Sequence, residues 1–145
     1  MAESYEEKIN GINCFCNEID AQYHRASLKM GITDSVSVVL YMLRDRGGEC
    51  TLGEICKNFG ISKQTVNSAV RGLEADGSVR LVPVDGKSKK IVLTEKGEKF
   101  AAKTVDRLFL AERAAFETWE KSEIDEYVRL TRKHLACLKR EIDKL

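Results

Sequence analysis

Residues 51–73 read TLGEICKNFGISKQTVNSAVRGL, and the second half of this stretch decides the fold. Val66, Ala69, Val70 and Leu73 recur at i, i+3, i+4 and i+7, the spacing of a buried helical stripe. Gln64, Asn67, Ser68 and Arg71 recur at the same spacing and fall on the opposite side of the helix. The pattern predicts a short helix capped by Ser62, with one face for a core and one of hydrogen-bonding groups. Gln and Asn can bond bidentately to adenine, and Arg to guanine. An inert solvated face more often carries Glu and Lys. Residues 57–73 hold Lys57, Lys63 and Arg71 and no acidic residue. DNA reading is therefore favoured over an inert face, because the neighbouring segments agree with it.

On the amino-terminal side, Leu52, Ile55, Cys56 and Phe59 predict the inner face of a helix beginning at Thr51, with Gly60 making the turn. On the other side, Asp76-Gly77 ends the central helix. Val79, Leu81 and Val82, then Ile91, Val92 and Leu93, predict two short strands. Asp85-Gly86 between them is a hairpin signal, and Pro83, the only proline, sits where a strand end tolerates it.

Long helices flank this middle. Ser4 can cap a helix from Tyr5 to about Lys29, closed by Gly31 and striped by Ile9, Ile12, Phe15, Cys16, Ile19 and Tyr23. Thr33 or Asp34 caps the next, with Val36, Val39, Leu40 and Leu43 on its inner face and Gly47 as a left-handed stop. Thr94 to Gly97 opens one long helix running to about Trp119, with Phe100, Ala101, Val105, Leu108 and Ala115 as inner candidates. Ser122 and Asp125 resemble a capping box for a last helix. Its apolar stripe, Ile124, Val128, Leu135, Leu138, Ile142 and Leu145, approaches a heptad seam.

Composition is that of an ordinary globular chain: 145 residues, 43% hydrophobic and 32% charged. The net charge of +1 says little, but its distribution says more. Residues 1–20 carry a net −4, whereas 79–93 carry a net +3 from Arg80, Lys87, Lys89 and Lys90 against Asp85. A basic tract in a near-neutral chain is the footprint expected of a phosphate contact, although solvated hairpin tips also carry lysine. No run approaches a membrane span, and the amino terminus lacks the basic and apolar regions of a signal peptide, so a cytoplasmic location is expected. The five cysteines have irregular spacing and no C-x-x-C pair, and His24 and His134 are isolated. Neither a disulfide framework nor a metal site is expected. No cofactor or catalytic motif is present: there is no Gly-rich phosphate loop, no H-E-x-x-H and no G-x-S-x-G.

The ordered set of segments from Thr51 to Val66, Leu73-Glu-Ala-Asp-Gly-Ser-Val79, the charged tip, and Leu93-Thr-Glu-Lys-Gly97 resembles the MarR-type winged helix-turn-helix regulators. The resemblance implies a mainly α fold with a small β-hairpin wing. Residues 1–30 would form an amino-terminal dimerisation helix, 31–97 the DNA-binding domain, and 98–145 the carboxy-terminal dimerisation helices. It implies a homodimer on a near-palindromic operator, acting most simply as a repressor released by a small aromatic or phenolic ligand. Ser62 and Thr65 would touch phosphate. Lys63, Gln64, Asn67, Ser68 and Arg71 would read bases, and Lys87, Lys89 and Lys90 would follow the wing. The family's wing usually carries an arginine after its aspartate. Here lysines stand instead, and a point charge suits phosphate better than groove reading. Tyr23, His24, Tyr41 and Met42 lie on the helices that would line a ligand site.

Two alternatives remain at this level. Cys14 and Cys16 lie on the helix where peroxide-sensing relatives place their reactive cysteine. Alignment on Gly31-Ile-Thr puts that position near Ile9, although Tyr23 falls where one tyrosine is expected. The other alternative is a winged-helix module that binds protein and not specific DNA.

Overall fold

The computed structural model describes residues 2–145, which divide into two compact units, one ending at Leu108 and the other spanning Phe109–Leu145. In the first unit, α1 (Tyr5–Met30) begins with a capping box. The Ser4 hydroxyl accepts the Glu7 N–H at 3.2 Å, and the Glu7 carboxylate accepts the Ser4 N–H at 2.6 Å. Gly31, left-handed at φ +71°, ends it, and Thr33 caps α2 (Asp34–Asp45).

Helix α2 is the centre of the core. Val39, Leu40 and Leu43 are fully buried, and they pack with Val66, Val70 and Leu73 of α4 (Lys63–Ala75) and Ile55 of α3 (Leu52–Phe59). The predicted turn at Gly60 is left-handed (φ +61°), as the tight three-residue link from α3 to α4 favours. Strands β2 (Val79–Pro83) and β3 (Lys89–Leu93) form the hairpin, with Leu81 opposite Ile91. A third strand, β1 (Glu49–Thr51), pairs with the other edge of β3, giving the order β1-β3-β2. The sequence carries no alternation long enough to announce β1: it has three residues, and the last, Thr51, is also the cap of α3.

The predicted single helix from Thr94 to Trp119 is instead two, α5 (Glu95–Lys103) and α6 (Val105–Ala115), broken at Thr104. The buried Thr104 hydroxyl donates to the Phe100 carbonyl at 2.7 Å, taking the acceptor that the next helical N–H would use. The Thr104 N–H turns to Ala101 O, and the break keeps Ala101 and Val105 fully buried on either side of it. Of the inner candidates, Ala115 is exposed. Arg44 of α2 holds both segments. Its guanidinium is bidentate to Asp106 at 2.7 and 2.9 Å and also pairs with Glu98.

The second unit holds the end of α6 and α7 (Lys121–Ile142). The cap of α7 is not Ser122 with Asp125. The helix starts earlier, Glu123 reaches back to the Glu120 N–H at 2.8 Å, and Asp125 pairs with Lys121 at 2.6 Å. Ser122 is already inside the first turn. Phe116, Trp119 and Tyr127 form a cluster of three rings, with Trp119 edge-on to both others. The stripes of α1 and α7 remain exposed, from Ile9 at 39% to Phe15 at 65% and Leu135 at 55%.

One close backbone approach lies within the first unit. A Cβ on Gly97 would lie 1.9 Å from the Ser78 carbonyl oxygen and 2.9 Å from Leu93 Cδ2. Gly97→Ala is expected to destabilise the fold by about 1–3 kcal/mol or more, because backbone must move to admit the methyl. Gly86→Ala, where the added carbon meets nothing within 4 Å, should be near neutral. Paired urea and thermal unfolding of the two variants checks both expectations.

Candidate nucleic-acid interface

Helix α4 has the two faces that its sequence predicts. Ser62 caps it: its hydroxyl accepts the Thr65 N–H at 3.2 Å and lies 2.8 Å from the Thr65 hydroxyl. Val66, Ala69, Val70 and Leu73 are buried. Lys63, Gln64, Thr65, Asn67, Ser68 and Arg71 are all exposed. Ser68 donates its hydroxyl proton to the Gln64 carbonyl at 3.1 Å, which leaves its oxygen lone pairs facing outward. Among the described residues, the side chains of Lys63, Gln64, Asn67 and Arg71 have no hydrogen-bonding or ionic partner. The first turn contains no acidic residue, so the positive end of the helix dipole is not offset by a neighbouring carboxylate.

The tip of the β2–β3 hairpin is held by its own aspartate. Asp85 Oδ1 accepts the Lys87 N–H at 3.1 Å and the Ser88 N–H at 2.8 Å, and the Val84 N–H donates to Ser88 O at 2.9 Å. These donors hold the Asp85 carboxyl below its ordinary pKa, so it stays ionised and keeps its grip through the neutral range. The turn works without a left-handed Gly86, whose φ is not positive.

The three wing lysines do not share one environment. Lys89 lies on the side of β3 that carries Ile91 and Leu93, and Lys87 stands at the tip. Lys90 points to the opposite side, where its ammonium meets Glu49 of β1 at 2.6 Å. That carboxylate raises the Lys90 pKa and ties the lysine to the sheet. Sequence distance hid this pair, since Glu49 belongs to the strand that left no pattern.

A cleft of about 420 Å³ separates α4 from the hairpin. Val70, Leu81 and Ile91 contribute apolar surface to it, and Lys63, Asn67, Lys87, Ser88 and Lys89 polar groups. Its remaining wall is Thr51, Leu52 and Gly53 at the start of α3. The fold thus brings Lys63 together with Lys87 and Lys89, and no carboxylate lines the cleft. The wall from α3 was not among the predicted site residues, because a helix cap and a leucine carry no distinguishing pattern.

The candidates for a ligand site are scattered in role. Met42 is a core residue, 3% exposed. Tyr41 packs edge-on against Phe59, with centroids 6.2 Å apart. His24 Nδ1 lies 2.6 Å from Asp34 Oδ2, linking α1 to the start of α2. The His24 and Ser27 contacts hold the Asp34 carboxyl below its ordinary pKa. Tyr23 is exposed on α1.

Cys14 and Cys16 are exposed, but the Cys14 thiol donates to Glu18 at 3.3 Å. That hydrogen bond and the carboxylate charge push the Cys14 pKa up, opposite to what a peroxide-reactive thiolate needs. Cys50 is buried in β1, and burial pushes it up to about 12. Cys56, placed on the inner face of α3 by its spacing, is half-buried. Among the described residues, no three His, Cys, Asp or Glu side chains are grouped to hold a metal ion, and no single helix is long and apolar enough to cross a membrane.

The model of the MarR family matches residues 30–89, which span α2 to the start of β3. No curated protein matches the chain. Among solved structures, NMB1585, a MarR family regulator from Neisseria meningitidis, superposes with a TM-score of 0.84 at 17% identity, over 94% of this chain and 97% of that one. The Staphylococcus aureus MepR–DNA complex gives 0.67 at 20% identity, over 94% and 99%. Bordetella bronchiseptica BpsR, whose DNA binding is regulated by 6-hydroxynicotinic acid, gives 0.65 at 22% identity, over 86% and 98%. At these identities the structures establish a shared fold.

The thiols offer a direct check on the local environments of Cys14 and Cys50. At pH 8 a disulfide reagent should leave Cys50 unmodified in the folded protein and react slowly with Cys14. Glu18→Gln should speed Cys14, because it removes the charge that disfavours the thiolate. Peptide mapping of the labelled protein after timed quenching distinguishes the sites.

Proposed function

We propose, from a chain whose winged helix-turn-helix segment is that of the MarR family, a sequence-specific regulator of transcription that binds double-stranded DNA as a homodimer. The observation that carries this proposal is the outer face of α4: Gln64, Asn67 and Arg71, exposed and unpaired, on a helix whose other face is anchored in the core. A helix of 13 residues is about 20 Å long and fits the major groove of B-DNA. Gln64, Asn67 and Arg71 then face base edges, with Lys63 and Ser68 beside them. Ser62 and Thr65 lie at the end of the helix that meets backbone phosphate. Lys87 and Lys89 extend the positive surface along the hairpin. Lys90, neutralised by Glu49, supports the sheet more than it attracts DNA.

Dimerisation is supported by the exposed apolar stripes. Ile9, Ile12, Ile19 and Tyr23 on α1, and Val128, Leu135, Leu138 and Ile142 on α7, are each at least 39% exposed. Such stripes are costly to leave in water and are the usual sign of an interface. A two-fold dimer calls for a near-palindromic site with half-sites about one helical turn apart. Repression relieved by a small aromatic or phenolic effector is the simplest mode of control. Regulation of DNA binding by 6-hydroxynicotinic acid in a protein of the same fold motivates the search for such an effector. A cytoplasmic location follows from this role.

Fluorescence anisotropy with duplexes from the region upstream of the chain's own gene, against scrambled competitor at two salt concentrations, tests the proposal. Specific binding that weakens steeply with salt is expected. Arg71→Ala should cost about 1–3 kcal/mol and relax base preference at one position. Lys87→Ala and Lys89→Ala should each lower the salt slope by about one unit, and Lys90→Ala by less. Weak binding, equal for both DNAs, would instead favour a protein-binding module.

A further inference from the structure

Helices α5 and α6 are not joined by a continuous helical ladder. At the break the Thr104 N–H donates to Ala101 O at 3.1 Å, the Arg107 N–H to Thr104 O at 2.9 Å, and the Thr104 hydroxyl occupies the Phe100 carbonyl. A helix interrupted in this way bends at the interruption, and its angle is set by what holds the two sides. Arg44 holds both. It projects from the last turn of α2, whose Val39, Leu40 and Leu43 are fully buried, so its base is anchored in the core. Its Nε and Nη2 donors meet the two carboxylate oxygens of Asp106 in the first turn of α6. Its Nη1 meets the Glu98 carboxylate in α5, and Nη2 reaches the Glu98 carbonyl at 3.4 Å. One planar guanidinium thus grips both sides of the break. The fork fixes direction as well as distance, which a point charge does not. The clamp is also shielded: the Arg44 side chain is 27% exposed, against 74% and 86% for the Lys99–Glu95 pair that runs along α5 alone.

We propose that Arg44 is a positioning residue for operator recognition: by fixing the direction of α6 at the break, it sets how sharply the homodimer selects the spacing between its two half-sites. The proposal rests on the DNA-binding function proposed above. The first turn of α6 belongs to the unit that carries α4, and the same helix runs on into Phe109–Leu145. Two copies of α4 keep a constant separation only if this link keeps a constant angle. Adding one base pair between half-sites moves them apart by about 3.4 Å and turns one relative to the other by about 35°. A stiff link rejects that change, and a loose one follows it at little cost.

The test uses the full chain and a duplex recovered by selection from a random pool. The duplex is remade with one base pair added or removed between the half-sites, and as an isolated half-site. Arg44→Lys keeps the charge and loses the fork. It should narrow the ratio of affinities between the selected and the altered spacings by about two- to thirtyfold, with binding to the isolated half-site unchanged. Asp106→Asn should act in the same direction, and Glu95→Gln, which breaks the pair within α5, should leave the ratio as it is. By hydrogen exchange, the amides of residues 104–107 should exchange faster in Arg44→Lys, while those of α4 stay protected. A ratio unchanged in both Arg44→Lys and Asp106→Asn overturns the proposal. So does a loss by one common factor on every duplex, the isolated half-site included, which is what a merely structural role would produce. A wild-type chain that binds specifically but takes all the spacings alike overturns it too. A wild-type chain that binds no duplex specifically removes the DNA-binding function itself, and this proposal with it. Thermal unfolding checks each variant, and Asp106→Asn carries the test if Arg44→Lys does not fold.

Discussion

The close approach of Gly97 to the Ser78 carbonyl is the constraint on which the arrangement of the winged unit depends. Three segments meet there: the turn that ends α4, the exit of β3 and the first turn of α5. Thr94 ties them further, accepting the Gly97 N–H at 3.1 Å and donating its hydroxyl to the carbonyls of Gly77 and Ser78. The Thr94 N–H also donates to Ser78 O at 3.0 Å, so one backbone carbonyl accepts from both polar groups of Thr94. The angle between α4 and the hairpin is fixed by this junction at one end and by the Val70, Leu81 and Ile91 packing along the cleft. A side chain at position 97 would force the segments apart.

How much of this was legible in the sequence depended on whether a segment's own pattern contained the answer. The two faces of α4, its Ser62 cap, the Gly60 turn and the capping of α1 are local, and the periodicity and cap chemistry stated them in advance. What could not be read required a partner far away in sequence. Strand β1 is too short to alternate, and it exists because β3 offers an open edge. The break at Thr104 arises from a hydroxyl competing for a carbonyl in a buried setting, while the apolar spacing continues on both sides as if the helix were whole. Nothing local to Arg44 announces its partners, which the fold supplies as Asp106 and Glu98, more than fifty residues away.

The candidate interface shows the same division. Residue types on α4 marked out the exposed polar face that the structure shows, and the basic tract marked out the hairpin. The sequence could not sort the hairpin's lysines, because the strand register separates Lys89 from Lys90 and hands the latter to Glu49. A tract that counts as four cations against one carboxylate presents fewer free charges once folded.

The aromatic cluster of the second unit has a spectroscopic consequence. Trp119 is the chain's only tryptophan, and it sits among Phe116 and Tyr127 within Phe109–Leu145, outside the unit that carries α4 and the hairpin. Emission excited at the tryptophan band therefore originates in a part of the chain that contains none of the groups assigned to DNA. A change in that emission when the winged unit is occupied would report communication between the two units in the native, unlabelled protein. A constant emission would show that the surroundings of Trp119 do not change.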